Sequence, residues 1–176
     1  MATDVKTVSL NGLIIVISSS ETFQKNNQLL IQRLVKEKKS GIYVTLSVAH
    51  SVIVNRLEKG KSKANSLFFI DGAGKKCTDG LKEGHYKSVQ GPEALTELSI
   101  AISEVANTGN YQFLFLDSIG TLQLYNDFEN ASKFTRFMTN KLKLMGITCV
   151  IISLDESQSE KLNSVLKQSA EFVVIE

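Results

Sequence analysis

Six short apolar runs constrain the fold of this chain more than any other feature. They are Leu13 to Ser18, Ile42 to Leu46, Leu67 to Ile70, Gln112 to Leu116, Thr148 to Ser153 and Phe172 to Ile175. A strand with one wet face alternates apolar and polar residues. These runs are almost continuously apolar, which predicts strands buried on both faces, as in a parallel sheet covered by helices. Helical spacing appears between them. Leu30, Ile31, Leu34 and Val35 share a face over Asn26 to Lys38. Leu95, Leu98, Ile102 and Val105 recur at intervals of three and four, and Phe134, Phe137, Met138, Leu142 and Met145 share one side of a helix expected over Phe128 to Leu144, with Met145 just past its end. Further helices are expected over Ala49 to Glu58 and over Ser157 to Ser169, with Leu162, Val165 and Leu166 inward. The expected fold class is α/β, a mostly parallel central sheet with helices on both faces. It forms one domain over residues 1–176, without internal repeat.

Smaller signals fill in the connections. Lys6 to Leu10 reads as a short strand, with Asn11-Gly12 as a hairpin-type turn. Gly41 and Gly146 stand where helix C-caps are expected, and Pro92 where a first helical turn would start. Gly72 to Gly91 has no periodicity and reads as a long excursion. The apolar runs are too short to cross a membrane, and Met1-Ala2-Thr3-Asp4 carries no secretory pattern. A net charge of +2 gives no global pull toward nucleic acid. The expected location is cytoplasmic and reducing. Cys149 is expected as a small buried hydrophobe and Cys77 as a loop residue without a role.

Open α/β sheets bind ligands beyond the carboxyl ends of their strands. Those ends carry Ser18 to Lys25, Leu46 to Ala49, Asp71 to Gly74, Asp117-Ser118 and Ser153 to Glu156. The first is the most telling. A P-loop carries G-x-x-x-x-G-K-[ST] between its first strand and helix, so that backbone amides wrap a phosphate. In that frame Ser19 replaces the first glycine and Gln24 the second, with Ser20, Glu21, Thr22 and Phe23 between them. Lys25 is kept, and Asn26 takes the place of the metal-binding hydroxyl. A second segment, Tyr111-Gln112-Phe113-Leu114-Phe115-Leu116-Asp117-Ser118-Ile119-Gly120-Thr121-Leu122, resembles the Walker B strand of RecA/KaiC-like ATPases. The stretch Phe134 to Ile152 resembles the helix, glycine and strand that follow in KaiC-like domains, notably archaeal ones. The order of elements agrees over roughly the whole chain. A flavodoxin-like receiver is the competing fold, but it needs an acidic cluster after its first strand, and Ser18-Ser19-Ser20 supplies none.

The resemblance implies a nucleotide loop at Ser19 to Asn26, Mg²⁺ held by Asp117, and ATP or ADP as ligand. The departures argue against turnover. Ser19 and Gln24 would find the loop's glycine conformations costly, at about 1–3 kcal/mol for each strained residue. The family's general base would fall near Thr45-Leu46-Ser47, where no acid stands, so no catalytic residue is assigned. The expected function is a noncatalytic regulatory or assembly module with a degenerate Walker A loop and a decayed ATPase site. It would act through a protein partner or as a homo-oligomer. Two alternatives stay open: a sensor that binds nucleotide or anion without turnover, and an ATPase with an altered P-loop.

Competing features carry blander readings. Asp71-Gly72-Ala73-Gly74-Lys75-Lys76 resembles a second glycine-lysine loop, but Phe69 falls where its first glycine should be. From Arg56 to Lys87 there are eight basic residues against four acidic ones. This allows a polyanion contact, but within the long loop only Tyr86 supplies an aromatic, so a solvated face is the simpler reading. His50 and His85 read as isolated surface or helix-cap histidines. Asp155, Glu156 and Glu160 read as acids at a helix start. Lys25 has a plain alternative as a solvated lysine, the three serines as helix caps, and Asp117 as a turn cap aided by Ser118.

Overall fold

A computed structural model describes residues 4–60, 64–73, 85–156 and 159–176. Among these residues, seven parallel strands form one sheet. They are β1 (Leu13–Ser18), β2 (Gly41–Thr45), β3 (Leu67–Asp71), β4 (Tyr86–Ser88), β5 (Phe113–Asp117), β6 (Thr148–Leu154) and β7 (Phe172–Ile175). Their order is β4-β3-β2-β5-β6-β1-β7, which excludes the receiver-type order 2-1-3-4-5. The helices are α1 (Phe23–Lys38), α2 (His50–Lys59), α3 (Leu95–Asn107), α4 (Ile119–Tyr125), α5 (Phe128–Leu144) and α6 (Glu160–Lys167). Among the described residues no helix is long and apolar enough to cross a membrane.

Strand alternation divides the core in two. Ile14, Val16, Tyr43, Phe69, Phe115 and Val150 face α1 and α2. Ile15, Ile17, Val44, Leu46, Leu116 and Ile151 face α3 to α6. The continuous apolar runs are therefore two interleaved half-patterns, each packed against its own helical layer.

Several expectations need correction. Lys6 to Leu10 is not a strand. Thr7 N and Val8 N both donate to Asp4 O at 3.0 and 2.9 Å, which coils the segment into a turn. Val5, Val8 and Leu10 still bury themselves against the α1 layer. Arg33 clamps the turn there, donating to Val5 O at 2.7 Å and Val8 O at 3.1 Å. Gly41 does not cap α1. Lys39 takes the positive φ of 73° there, and Gly41 opens β2. A Cβ on Gly41 would lie 2.3 Å from the Phe113 ring, so the glycine lets a central aromatic lie flat against β2. Phe137 points outward and is 56% exposed. Pro92 lies in a turn, and α3 begins only at Leu95. Two elements had no strong signal of their own: β4 inside the expected excursion, and α4 after Asp117. Residues 74–84 and 157–158, with Cys77, Lys75, Lys76 and Lys82, lie outside the described residues, as do Lys61 and Lys63.

β2 and β5 are neighbours whose following helices pack on opposite faces of the sheet. This makes their carboxyl ends a topological switch point, where α/β sheets open a crevice.

Candidate functional site

The β1–α1 connection is short and spent on itself. α1 begins at Phe23, three residues earlier than the sequence suggested. Ser19 O accepts from Thr22 N at 3.2 Å and Phe23 N at 2.9 Å, and Thr22 O accepts from Asn26 N at 2.9 Å. Ser19 N donates to Glu176 O at 2.8 Å, and the Thr22 hydroxyl donates to the same oxygen at 3.2 Å. The Ser19 and Thr22 hydroxyls lie 3.1 Å apart. Ser20, Glu21 and Lys25 are exposed, and Lys25 makes no hydrogen bond or ion pair with a described residue. Asn26 is turned inward, and its Nδ2 donates to Ser18 Oγ at 2.9 Å. Phe23 and Gln24 face a different space, along the flank of α1 that looks toward α2.

That space is a cavity of about 420 Å³ above the switch point. α1 gives it Phe23, Gln24, Asn27, Gln28 and Ile31. α2 gives Ile53, Arg56, Leu57 and Lys59. Tyr43, Ser47, Val48 and Asp117 come from the ends of β2 and β5. Of the residues singled out from the sequence, Phe23, Gln24 and Asp117 line it. Ser19, Ser20, Glu21, Thr22, Lys25 and Asn26 do not.

Asp117 is 6% exposed, and its Oδ2 accepts from the Tyr43 hydroxyl at 2.8 Å. Its Oδ1 has no partner among the described residues, nor does the side-chain oxygen of Asn27, which is 8% exposed. Burial pushes the Asp117 carboxyl above the usual carboxylate range. The Tyr43 hydroxyl, the Arg56 charge and the Asn27 amide act against that rise. Burial and the neighbouring carboxylate together raise the Tyr43 phenol well above its ordinary value. Ser118, not Asp117, occupies the N-cap position of α4, and its hydroxyl lies 3.3 Å from that of Thr121.

A second polar cluster sits at the end of β3. His50 and Asp71 are each 1% exposed. Asp71 Oδ2 lies 2.8 Å from both the backbone N and the ring Nδ1 of His50, and Oδ1 accepts from Ala73 N at 2.9 Å. The imidazole stacks on Tyr86 at 4.5 Å between ring centroids. His50 is therefore a buried, paired residue and not the isolated surface histidine its spacing suggested. The two partners stand 21 positions apart, and only the β2–β3 pairing brings Asp71 beside the start of α2. His85 lies just before β4, and its carbonyl accepts from Phe69 N at 2.9 Å. Asn27, Tyr43 and Arg56 were also missed. Each looks ordinary in its own element; the crossover of α1 above β5 and β2 brings Asn27 and Tyr43 to the cavity that Asp117 lines, and α2 brings Arg56 to it.

Neither a protein-family model nor a curated protein matches the chain. Among solved structures it is similar to KaiC-like protein PH0186 from the hyperthermophilic archaeon Pyrococcus horikoshii OT3. The TM-score is 0.64 at 14% sequence identity, over 96% of this chain and 72% of that one. Strand order, the parallel sheet and this likeness together establish a KaiC-like, RecA-type α/β fold.

Proposed function

We propose that the chain is a noncatalytic RecA/KaiC-like module, regulatory or assembly-forming, which works by contacting another protein or further copies of itself. The observation that carries this reading is the closed β1–α1 connection. A phosphate cradle needs free amides pointing into an open loop. Here the amides of Thr22 and Phe23 return to Ser19 O, and that of Ser19 is bonded to Glu176 O. The end of β2 supports it further, because Thr45, Leu46 and Ser47 offer no general base. Asp117 would give a divalent cation one free carboxylate oxygen, and the Asn26 amide is held by Ser18. That is a poor match to the octahedral oxygen set of Mg²⁺.

The test combines phosphate release from ATP with titration of ATP and ADP, with and without Mg²⁺, on wild type and Lys25→Ala. Light scattering reports the assembly state. The reading expects no turnover and no nucleotide binding at millimolar concentration, together with a concentration-dependent oligomer or a complex with a RecA-fold partner. Binding without turnover would replace it with a nucleotide sensor. Turnover that Asp117→Asn abolishes would replace it with an ATPase.

A further inference from the structure

We propose that the outer face of α3 and α5 is the interface of a two-fold dimer, its partner a second copy of this chain, with α3 of each copy lying on α5 of the other. The inference rests on the self-assembly side of the reading above and gives it a surface. The two helices lie side by side in one layer, where Lys141 Nζ donates to Ser103 Oγ at 2.7 Å. They lead into the parallel strands β5 and β6, so they run in the same direction. Their inner faces are spent on the core through Leu98, Ile102, Phe134 and Met138. Their outer faces keep Ile100 and Phe137, 52% and 56% exposed. Ile100 stands one turn before Ser103 and Phe137 one turn before Lys141, so the two apolar side chains share a level.

Charge selects the occupant and the symmetry. α3 carries Glu97 and Glu104 and no lysine or arginine. α5 carries Lys133, Arg136, Lys141 and Lys143 against Glu129 alone. A two-fold axis across the helices would set α3 on α3 and α5 on α5, acid against acid and base against base. An axis along the seam between them sets α3 of each copy on α5 of the other and keeps every residue at its own level. The two acids stand three residues before and four after Ile100, and the lysines four before and four after Phe137. The seam axis therefore places Glu97 opposite Lys133, Ile100 opposite Phe137 and Glu104 opposite Lys141, each pair occurring twice. Within one copy Glu97 meets no cation among the described residues. Glu104 pairs with Lys87 and Lys133 with Glu129, both as exposed surface pairs. Such pairs are worth little in water, and an ion pair beside a buried apolar centre is stronger.

Sedimentation equilibrium of the full chain from about 1 to 300 µM, a range that brackets micromolar affinity, tests this. One variant reverses the acids (Glu97→Lys with Glu104→Lys) and another the bases (Lys133→Glu with Lys141→Glu). We expect wild type to dimerise, and each variant alone to dimerise at least about tenfold more weakly. An equimolar mixture of the two should recover the dimer, because both α3–α5 contacts of the mixed pair are again complementary. Thermal melts confirm that the variants are folded, and Phe137→Ser, at an exposed position, provides a second probe if a reversed variant is not. A wild-type chain that stays monomeric throughout overturns the inference. An oligomer that folded reversed variants and Phe137→Ser leave unchanged also overturns it, while self-assembly through another face survives. Failure of the mixture to recover the dimer overturns it as well. Phosphate release from ATP, measured on the same samples, separates the two readings: a dimer of this kind that turns over ATP keeps this interface and ends the noncatalytic one.

Discussion

The Tyr43 hydroxyl donates to one oxygen of Asp117 at 2.8 Å, while the other oxygen of the same buried carboxylate is closed off without a partner among the described residues. The residues sit at the ends of adjacent strands, β2 and β5, whose register pairs Tyr43 with Phe115 and Thr45 with Asp117. The half-satisfied carboxylate holds its proton more tightly in the folded state than in the unfolded chain.

That difference sets a pH dependence. Between the ordinary carboxylate value and the raised folded value, the folded protein binds more protons than the unfolded one. Stability from this group is therefore present in acid and is lost as pH rises through the folded value. Asn cannot ionise and can still accept from Tyr43. Asp117→Asn should melt higher than wild type at pH 7, with the gap closing as pH falls toward 4, as read by thermal melts across that range.

Gly41→Ala should destabilise strongly for a one-methyl change. The new Cβ would lie 2.3 Å from the fully buried Phe113 ring. Overpacking of this kind costs about 1–3 kcal/mol. Urea unfolding measures it, and adding Phe113→Leu should recover part of the loss.

Removing the His50 imidazole leaves the Asp71 carboxylate buried with only backbone donors. Leaving a buried polar group short of its hydrogen-bond partner costs about 1–3 kcal/mol. His50→Ala should show a loss of this order in urea unfolding, and Asp71→Asn in that background should restore part of it by replacing the stranded carboxyl.

Arg33→Ala should release the amino-terminal turn. Two backbone carbonyls, Val5 O and Val8 O, lose their guanidinium donors, and α1 loses the clamp over its apolar face. Hydrogen bonds to a charged donor are worth about 1.5–3 kcal/mol. Limited proteolysis should then cut near Val5 to Leu10 at rates the wild type resists.

Cys149 should be inert in the folded state, because burial pushes its thiol up to about 12. In a Cys77→Ser background, a thiol reagent at pH 8 should modify Cys149 only at the rate of unfolding.

The strands of this fold were legible because burial on both faces leaves little room for polar residues, and Ile14 to Ile17 or Leu114 to Leu116 show it without help from the rest of the chain. β4 was not, since Tyr86-Lys87-Ser88 carries no apolar run and is a strand only through its pairing with β3. Val8 and Leu10 alternate like a strand but are buried by a turn that Asp4 nucleates and Arg33 holds. At the site, Asp117 was legible from the apolar run it ends. The start of α1 was misplaced because the helix draws in Phe23, Gln24 and Lys25. The cavity was invisible because its walls come from two helices and its floor from two strands that are far apart in sequence.

β1 lies between β6 and β7, so the first strand of the sheet finds both neighbours among the last strands to be synthesised. Its two hydrogen-bonding edges stay open until Thr148 and the residues beyond it have emerged from the ribosome. Until then the nascent chain carries Leu13 to Ile17 without its sheet partners, a sticky template for any other extended chain. Closure of the sheet then waits on its most distant contacts, the slowest kind to form. Completion of the sheet accordingly waits for β6 and β7, with β1 as the element most in need of shelter before it.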